Sequence, residues 1–167
     1  EDLVNFSKPK VDYLEIDEYC AKQVHEHMDV PVSLVTNTNF KSKTFDKIIN
    51  VNLHSRQTRK IAGEEIVWLN FDRCKSWELT PYENTLVIDT DFIVKNNSLN
   101  KVFVSGKDLL INKTYTDINN RRDETVERLV THGIDMYWAT VFYFNKNAKT
   151  KIFFNLVEHI QDNWNYY

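Results

Sequence analysis

One short stretch, residues 85–88, constrains the fold of this chain more than any other segment. Its residues, Thr-Leu-Val-Ile, follow one another without polar alternation, which is typical of a parallel strand covered on both faces. A strand of that kind belongs to a sheet with helices on either side. It runs directly into two carboxylates, Asp89 and Asp91. The sequence therefore predicts a sheet buried between helices, with two acidic side chains at the carboxyl end of one strand.

Helical and extended patterns alternate along the rest of the chain. Helices are predicted over 12–29, 65–77, 98–104 and 148–164, strands over 32–36, 47–51, 108–111 and 137–144, and a loop over 52–64. Such alternation favours an α/β three-layer sandwich with a mostly parallel central sheet. We expect residues 85–88 to form a central strand flanked by 32–36 and 108–111, with the first and last helices packed on the sheet.

Composition narrows the class of protein. A chain of 167 residues with 3 Gly and 3 Pro has no linker-like segment, so a single domain over 1–167 is predicted. The longest apolar stretch, 136–144, is too short to span a bilayer, so no membrane partner is expected. A net charge of −3 gives no basic field that would attract nucleic acid, which stays open only as an acceptor. Two Cys favour a reducing compartment, the cytoplasm.

The pair of carboxylates after the apolar strand is the strongest chemical signal. With 13 Asp in 167 residues, about one Asp-x-Asp is expected by chance. The motif is therefore informative only because an apolar strand precedes it. Two neighbouring carboxylates repel each other unless a cation or a proton resolves the conflict. Carboxylate oxygens suit Mg²⁺ and Mn²⁺, which commonly also bind phosphate oxygens. The alternative is an Asp pair that only forms a turn.

The segment leading into this pair resembles a known pattern. Phe71 and Arg73 precede a Leu-Thr-Pro turn at 79–81 and then the strand that ends in Asp-Thr-Asp. This order resembles GT-A glycosyltransferases, and most closely the family 8-type sugar-nucleotide transferases. The stretches 79–91, 137–144 and 163–167 are similar to those of short nucleotide-diphospho-sugar transferase-like proteins of tailed phages. The resemblance runs from about Asp12 to Tyr167.

The resemblance implies a glycosyltransferase that moves a sugar from a nucleoside-diphosphate sugar to an acceptor, with Mn²⁺ or Mg²⁺ held by Asp89 and Asp91. Asp89 would face the ribose or sugar, and Arg73 would face the nucleotide-sugar. Thr36 and Asn37 would lie on the side of the base. The alternatives are a salt bridge from Arg73 to Asp72, Glu78 or Asp89, and simple turn formation by Asn37.

The transfer step needs further residues. If the reaction inverts the anomeric centre, a carboxylate base is required. Asp117 and Asp135 are the candidates, because each lies beside a predicted strand. Trp138 lies on the strand that flanks the acceptor in GT-A folds, although an aromatic residue there is more often part of the sheet core.

Two departures from the family keep other functions open. No strand is predicted before the first helix, and no late His-x-x-Gly-x-x-Lys motif follows His159. The chain is therefore expected to be either a fragment of a longer enzyme or a degenerate, non-catalytic binding or structural module. A metal-dependent nucleotidyl or nuclease domain is a further alternative. The donor sugar, the acceptor and the stereochemical course stay open.

Overall fold

The computed structural model describes residues 12–51, 58–61, 63–67, 71–113 and 137–166, which form a mixed α/β arrangement. The helices among these residues are α1 (Tyr13–Met28), α2 (Ser76–Leu79) and α3 (Ala148–Asp162), with single 3₁₀ segments at Phe71–Lys75, Asn97–Val102 and Trp164–Tyr166. The strands are β1 (Ser33–Thr36), β2 (Lys47–Asn50), β3 (Thr58–Ile61), β4 (Glu64–Val67), β5 (Asn84–Ile88), β6 (Leu109–Asn112) and β7 (Trp138–Asn145). No helix in the described residues is long and apolar enough to cross a membrane.

The long helices begin and end where their sequences predict. Asp12 caps α1 by accepting a hydrogen bond from the Leu14 amide at 3.0 Å. Asp29 ends the helix in the left-handed region, with φ of 55°, a conformation that Asp and Asn adopt more readily than other non-glycine residues. Asn147 and Thr150 form a reciprocal capping box at the start of α3, which satisfies amides that otherwise have no partner within the helix.

The strands of the described residues form three separate sheets. β1 and β2 pair in parallel, β3 and β4 form an antiparallel hairpin, and β5, β7 and β6 form an antiparallel sheet in that order. Parallel pairing is thus confined to one pair of described strands. The expectation that 85–88 is a central strand flanked by 32–36 and 108–111 is wrong for the described strands. β5 lies at one end of its sheet, β7 separates it from β6, and β1 pairs with β2 in a different sheet.

Strand β5 is nevertheless covered on both faces, as its apolar run predicts. Leu86 and Ile88 pack against the core of α1, which contains Cys20 and Val24. Val87 points to the opposite face and packs against the aromatic cluster that α3 shares with β7. An uninterrupted apolar run indicates that both faces of a strand are covered. It does not indicate whether the neighbouring strand is parallel or antiparallel, which depends on residues far along the chain.

A second disagreement concerns residues 65–77, where a helix is predicted. Glu64–Val67 is instead the second strand of the β3–β4 hairpin, and the described remainder of this range forms the 3₁₀ segment Phe71–Lys75 and the start of α2. Gly63 supplies the left-handed backbone, with φ of 87°, that this tight turn requires. The predicted helix at 98–104 is a 3₁₀ segment. The absence of a strand before α1 is a prediction that falls on residues 1–11, outside the described residues.

Candidate functional site

The two carboxylates lie in a tight turn at the carboxyl end of β5. The amide of Asp89 donates to the carbonyl of Thr140 at 3.1 Å, and the amide of Phe92 donates back to the carbonyl of Asp89 at 3.0 Å. The first bond extends the pairing with β7 by one residue, and the second closes the turn. The chain therefore leaves the sheet at Asp89 and presents Thr90 and Asp91 to solvent.

Arg73 is the cation of this site. It lies on the 3₁₀ segment before α2, and its guanidinium donates to the Asp89 carboxylate through Nη2 and to the carbonyl of Ala139 through Nη1. The side chains of Arg73 and Asp89 are only 22% and 28% exposed. The ion pair with Asp89, one of the alternatives from sequence, is therefore present. It clamps the 3₁₀ segment onto the adjoining ends of β5 and β7.

The two carboxylates of the motif differ in their surroundings. Burial raises the pKa of Asp89, and together with the charge of Asp91 it outweighs the opposing effect of Arg73. Asp91 is exposed and makes no hydrogen bond or ion pair within the described part of the chain. The fold thus engages the first carboxylate and leaves the second available to a ligand.

A third carboxylate, Asp17 on α1, was missed by sequence reasoning. Its side chain is buried, with 7% of its surface exposed, and its Oδ1 atom has no hydrogen-bond partner. Burial raises its pKa to about 6. Asp17 lies three positions before Cys20 and four before Ala21, inside the helix stripe that packs against the sheet.

Cys20 connects α1 with the turn. Its thiol donates to the carbonyl of Phe92 at 2.9 Å. Burial raises the pKa of this thiol to about 11, and the charges of Asp17 and Asp91 add to the effect. Cys20 is therefore a protonated structural thiol, and its contact brings the buried face of α1 against residues that directly follow Asp91.

Thr36 and Asn37 lie at the carboxyl end of β1, as expected. The Thr36 hydroxyl accepts from the amide of Thr38 at 3.2 Å, and Asn37 Oδ1 accepts from the Thr38 hydroxyl at 3.4 Å. These are local turn contacts, the alternative named for Asn37. No hydrogen bond joins either residue to Arg73 or to the Asp-Thr-Asp turn among the described residues.

The remaining predicted residues are placed only in part. Trp138 begins β7, and the strand register puts its backbone beyond Asp89, at the same edge of the sheet. Asp117 and Asp135 lie outside the described residues.

Comparison with protein-family models, with curated proteins and with solved structures found no match.

The described residues contain no group of three or more His, Cys, Asp and Glu side chains arranged to hold a metal ion. What they offer at the end of β5 is the exposed carboxylate of Asp91. A carboxylate of this kind suits Mg²⁺ or Mn²⁺, which bind through one or two carboxylates together with phosphate oxygens and water. The donor set thus fits a hard divalent cation.

Proposed function

We propose that this chain is a GT-A-type glycosyltransferase of three-layer α/β architecture, which moves a sugar from a nucleoside-diphosphate sugar to an acceptor in the cytoplasm, that of the host if the chain is phage-encoded. The observation that carries the proposal is the Asp-Thr-Asp turn at the carboxyl end of β5, with the Arg73 guanidinium bound to its first carboxylate. In open α/β sheets, ligands bind outside the carboxyl ends of the strands. The packing of α1 and α3 on opposite faces of β5 agrees with the layered arrangement.

Asp91 is the residue that holds Mn²⁺ or Mg²⁺ in this proposal, with Asp89 of the same motif facing the ribose or sugar. When bound, the cation supplies Lewis-acid neutralisation of the departing nucleoside diphosphate. Arg73 acts through Asp89: it fixes the carboxylate in one orientation and lowers the cost of keeping it partly buried. A fixed acceptor of this kind selects a ligand hydroxyl at one position.

The other roles rest on the sequence and its resemblance to the GT-A family. Thr36 and Asn37 are proposed to contact the base, and Trp138 to stack on the acceptor. Asp117 and Asp135 are the proposed candidates for the base that an inverting reaction requires. The acceptor itself is not specified by these residues.

A turnover assay tests the proposal. The full chain is incubated with a panel of nucleoside-diphosphate sugars and Mn²⁺, and release of nucleoside diphosphate is measured with water and with simple sugars as acceptors. We expect release from at least one donor, dependent on Mn²⁺ and lost in Asp91→Asn. The matched control is Asp29→Asn, a change at an exposed residue that ends α1. Release that persists in Asp91→Asn contradicts the role of Asp91.

A non-catalytic sugar-nucleotide-binding module is the second candidate. It is favoured by the engagement of Asp89 with Arg73, which occupies one carboxylate that the family uses at its active site. The same panel separates the two functions. A donor that binds with Mn²⁺ and is never cleaved supports the binding module over the transferase.

A further inference from the structure

The outer face of α3 exposes apolar side chains to solvent. Ile152 and Leu156 lie four residues apart, so they are neighbours on one face of the helix. Their exposed fractions are 68% and 54%. Phe154, on the opposite face, is buried against Phe144 of β7. α3 therefore presents apolar residues both to the sheet and to solvent, whereas a helix that only covers a sheet needs a single apolar face.

The spacing of these residues distinguishes them from other exposed apolar side chains. Val104 and Ile93 are also exposed, but they lie in loops between elements, and isolated residues of that kind are common on protein surfaces. The exposed residues on the outer face of α3 alternate at intervals of three and four, the spacing with which a helix packs against a second helix. We call them the outer stripe: Lys149, Ile152, Leu156 and His159.

The charges at the two ends of α3 indicate which helix would pack there. Lys149 lies in the first turn, which contains no acidic residue, and Asp162 is the last residue of the helix. This placement opposes the helix dipole, which favours acids at the amino end and bases at the carboxyl end. In an antiparallel pair of identical helices, the Asp162 end of each copy would lie beside the Lys149 end of the other. The charge pattern of α3 is therefore complementary to itself when one copy is reversed.

The outer stripe also fits a twofold register. A twofold axis makes every contact reciprocal, so Ile152 of one copy against Leu156 of the other is repeated with the copies exchanged. The same register places Lys149 of one copy opposite His159 of the other, within one helical turn of Asp162. Lys149 already pairs with Asp108 at 3.1 Å, but its side chain is 82% exposed. An exposed pair of that kind contributes little, so it does not prevent Lys149 from contacting Asp162 of a second copy.

We propose that the outer stripe is a dimerisation surface, on which a second copy of this chain packs its own α3 in the antiparallel direction. The inference goes beyond the proposed function and depends on neither a sugar donor nor a cation. A helix of 15 residues is about 22 Å long. Contact along one helix of this length is at the small end of specific interfaces, so monomer and dimer should interconvert with protein concentration.

Sedimentation equilibrium of the full chain over a range of concentrations tests the surface. We expect the wild-type chain to change from monomer to dimer as its concentration rises. Leu156→Glu should weaken the dimer by about tenfold or more, because it places two unpaired charges at the centre of the interface. The matched control is Val104→Glu, the same kind of change at a residue that is 84% exposed and lies outside α3. This control should dimerise as wild type does.

Two charge reversals test the antiparallel direction. Lys149→Glu and Asp162→Lys should each weaken the dimer, because each places like charges opposite one another. The double variant should recover the wild-type affinity, because it restores opposite charges with their positions exchanged. Both changes agree with the dipole of α3, so far-ultraviolet circular dichroism should show that the helix is kept. A loss of dimer in the single variants is then a loss of contact and not of folding.

Three results would overturn the proposal. A wild-type chain that stays monomeric at every concentration leaves the outer stripe to a partner other than a second copy. A dimer that Leu156→Glu does not weaken uses another surface. A double charge reversal that dimerises no better than the single reversals excludes the antiparallel contact between Lys149 and Asp162.

Discussion

At the scale of single residues, the carboxylates of this region differ in whether a cation neutralises them. Asp89 and Arg73 form a partly buried pair, whereas Asp17 is buried without any partner. Both carboxylates of the motif were predictable because they follow a recognisable strand, and Arg73 was predicted from the resemblance of its segment to the GT-A pattern. Sequence reasoning missed Asp17, because a single acid in a helical stripe has no local pattern that distinguishes it from a solvated residue.

The first prediction concerns Asp17 and pH. Its pKa is about 6 in the folded state, against 3.8 for an unperturbed Asp. Between these values the folded state holds more protons than the unfolded state, so stability falls as pH rises through this window and stays reduced above it. The full difference corresponds to about 3 kcal/mol. In the presence of a chelator, Asp17→Asn should therefore be more stable than wild type at about pH 8, by up to this amount.

Urea unfolding from about pH 2.5 to pH 8 checks this difference, because the window of Asp17 lies inside that range. The advantage of Asp17→Asn should vanish at the acid end, where Asp17 is protonated in both states. Glu15→Gln, on the exposed face of α1, should show no such dependence. A difference between Asp17→Asn and wild type that is constant with pH would contradict the buried, unpartnered state of Asp17.

The second prediction concerns Arg73. Its replacement by Ala removes donors to Asp89 and to the Ala139 carbonyl and leaves a partly buried carboxylate without its cation. We expect a loss of about 1–3 kcal/mol in the free energy of unfolding. Asp89→Asn in the Arg73→Ala background should recover part of the loss, since it removes the carboxylate charge that has lost its cation.

Lys149→Ala is the control for this pair. Lys149 also forms an ion pair, with Asp108 at 3.1 Å, but its side chain is 82% exposed. Exposed pairs contribute about 0–1 kcal/mol. If Arg73→Ala costs no more than Lys149→Ala in urea unfolding, the clamp between the 3₁₀ segment and the sheet is not a stabilising feature.

At the scale of elements, local sequence patterns predicted the helices and strands whose own residues carry a capping or apolar pattern. The boundaries of α1 and α3 follow from their capping residues and apolar spacing, and β5 and β7 from their apolar and aromatic runs. The β3–β4 hairpin was missed because its strands, Thr-Arg-Lys-Ile and Glu-Glu-Ile-Val, are half polar or more and contain no apolar run that marks a strand. In so short a segment, Ile66 fits a helical spacing equally well.

The third prediction tests the capping of α3, the helix that covers one face of β5. Asn147 Oδ1 accepts from the amides of Lys149 and Thr150 at 2.9 and 3.1 Å. Asn147→Ala leaves both amides without this acceptor, and we expect a loss of about 1 kcal/mol in stability. Asn155→Ala, an exposed change inside the same helix, should be neutral or slightly stabilising, since Ala is the better helix former. Equal effects of the two changes on urea unfolding would mean that the cap contributes nothing.

At the scale of the whole molecule, the order of strands was beyond reach of the sequence. The β5 partner, β7, lies about fifty residues further along the chain, and pairing such as Ile88 with Val141 is decided by contacts that no local window contains. The layered packing was predictable, because a strand that is apolar on both faces requires cover on both. The candidate site is likewise predictable from sequence only where its residues are close together along the chain. The turn after β5 was readable from sequence, but the approach of α1 through Cys20 and Phe92 was not.

The last prediction concerns the stability of the whole chain in the presence of ligand. Anything that binds only the folded state raises the free energy of unfolding, by about 2.7 kcal/mol at a ligand concentration one hundred times the dissociation constant. In a domain of this size each kcal/mol raises the melting temperature by about 2–4 °C. A nucleoside diphosphate together with Mn²⁺ should therefore raise the melting temperature by roughly 5–10 °C at that saturation. Each component alone should give a smaller shift, because the phosphate oxygens and the protein carboxylates share one cation. The shift should be lost in Asp91→Asn and kept in Glu15→Gln. Equal shifts in wild type and Asp91→Asn would place the nucleotide away from the carboxyl end of β5.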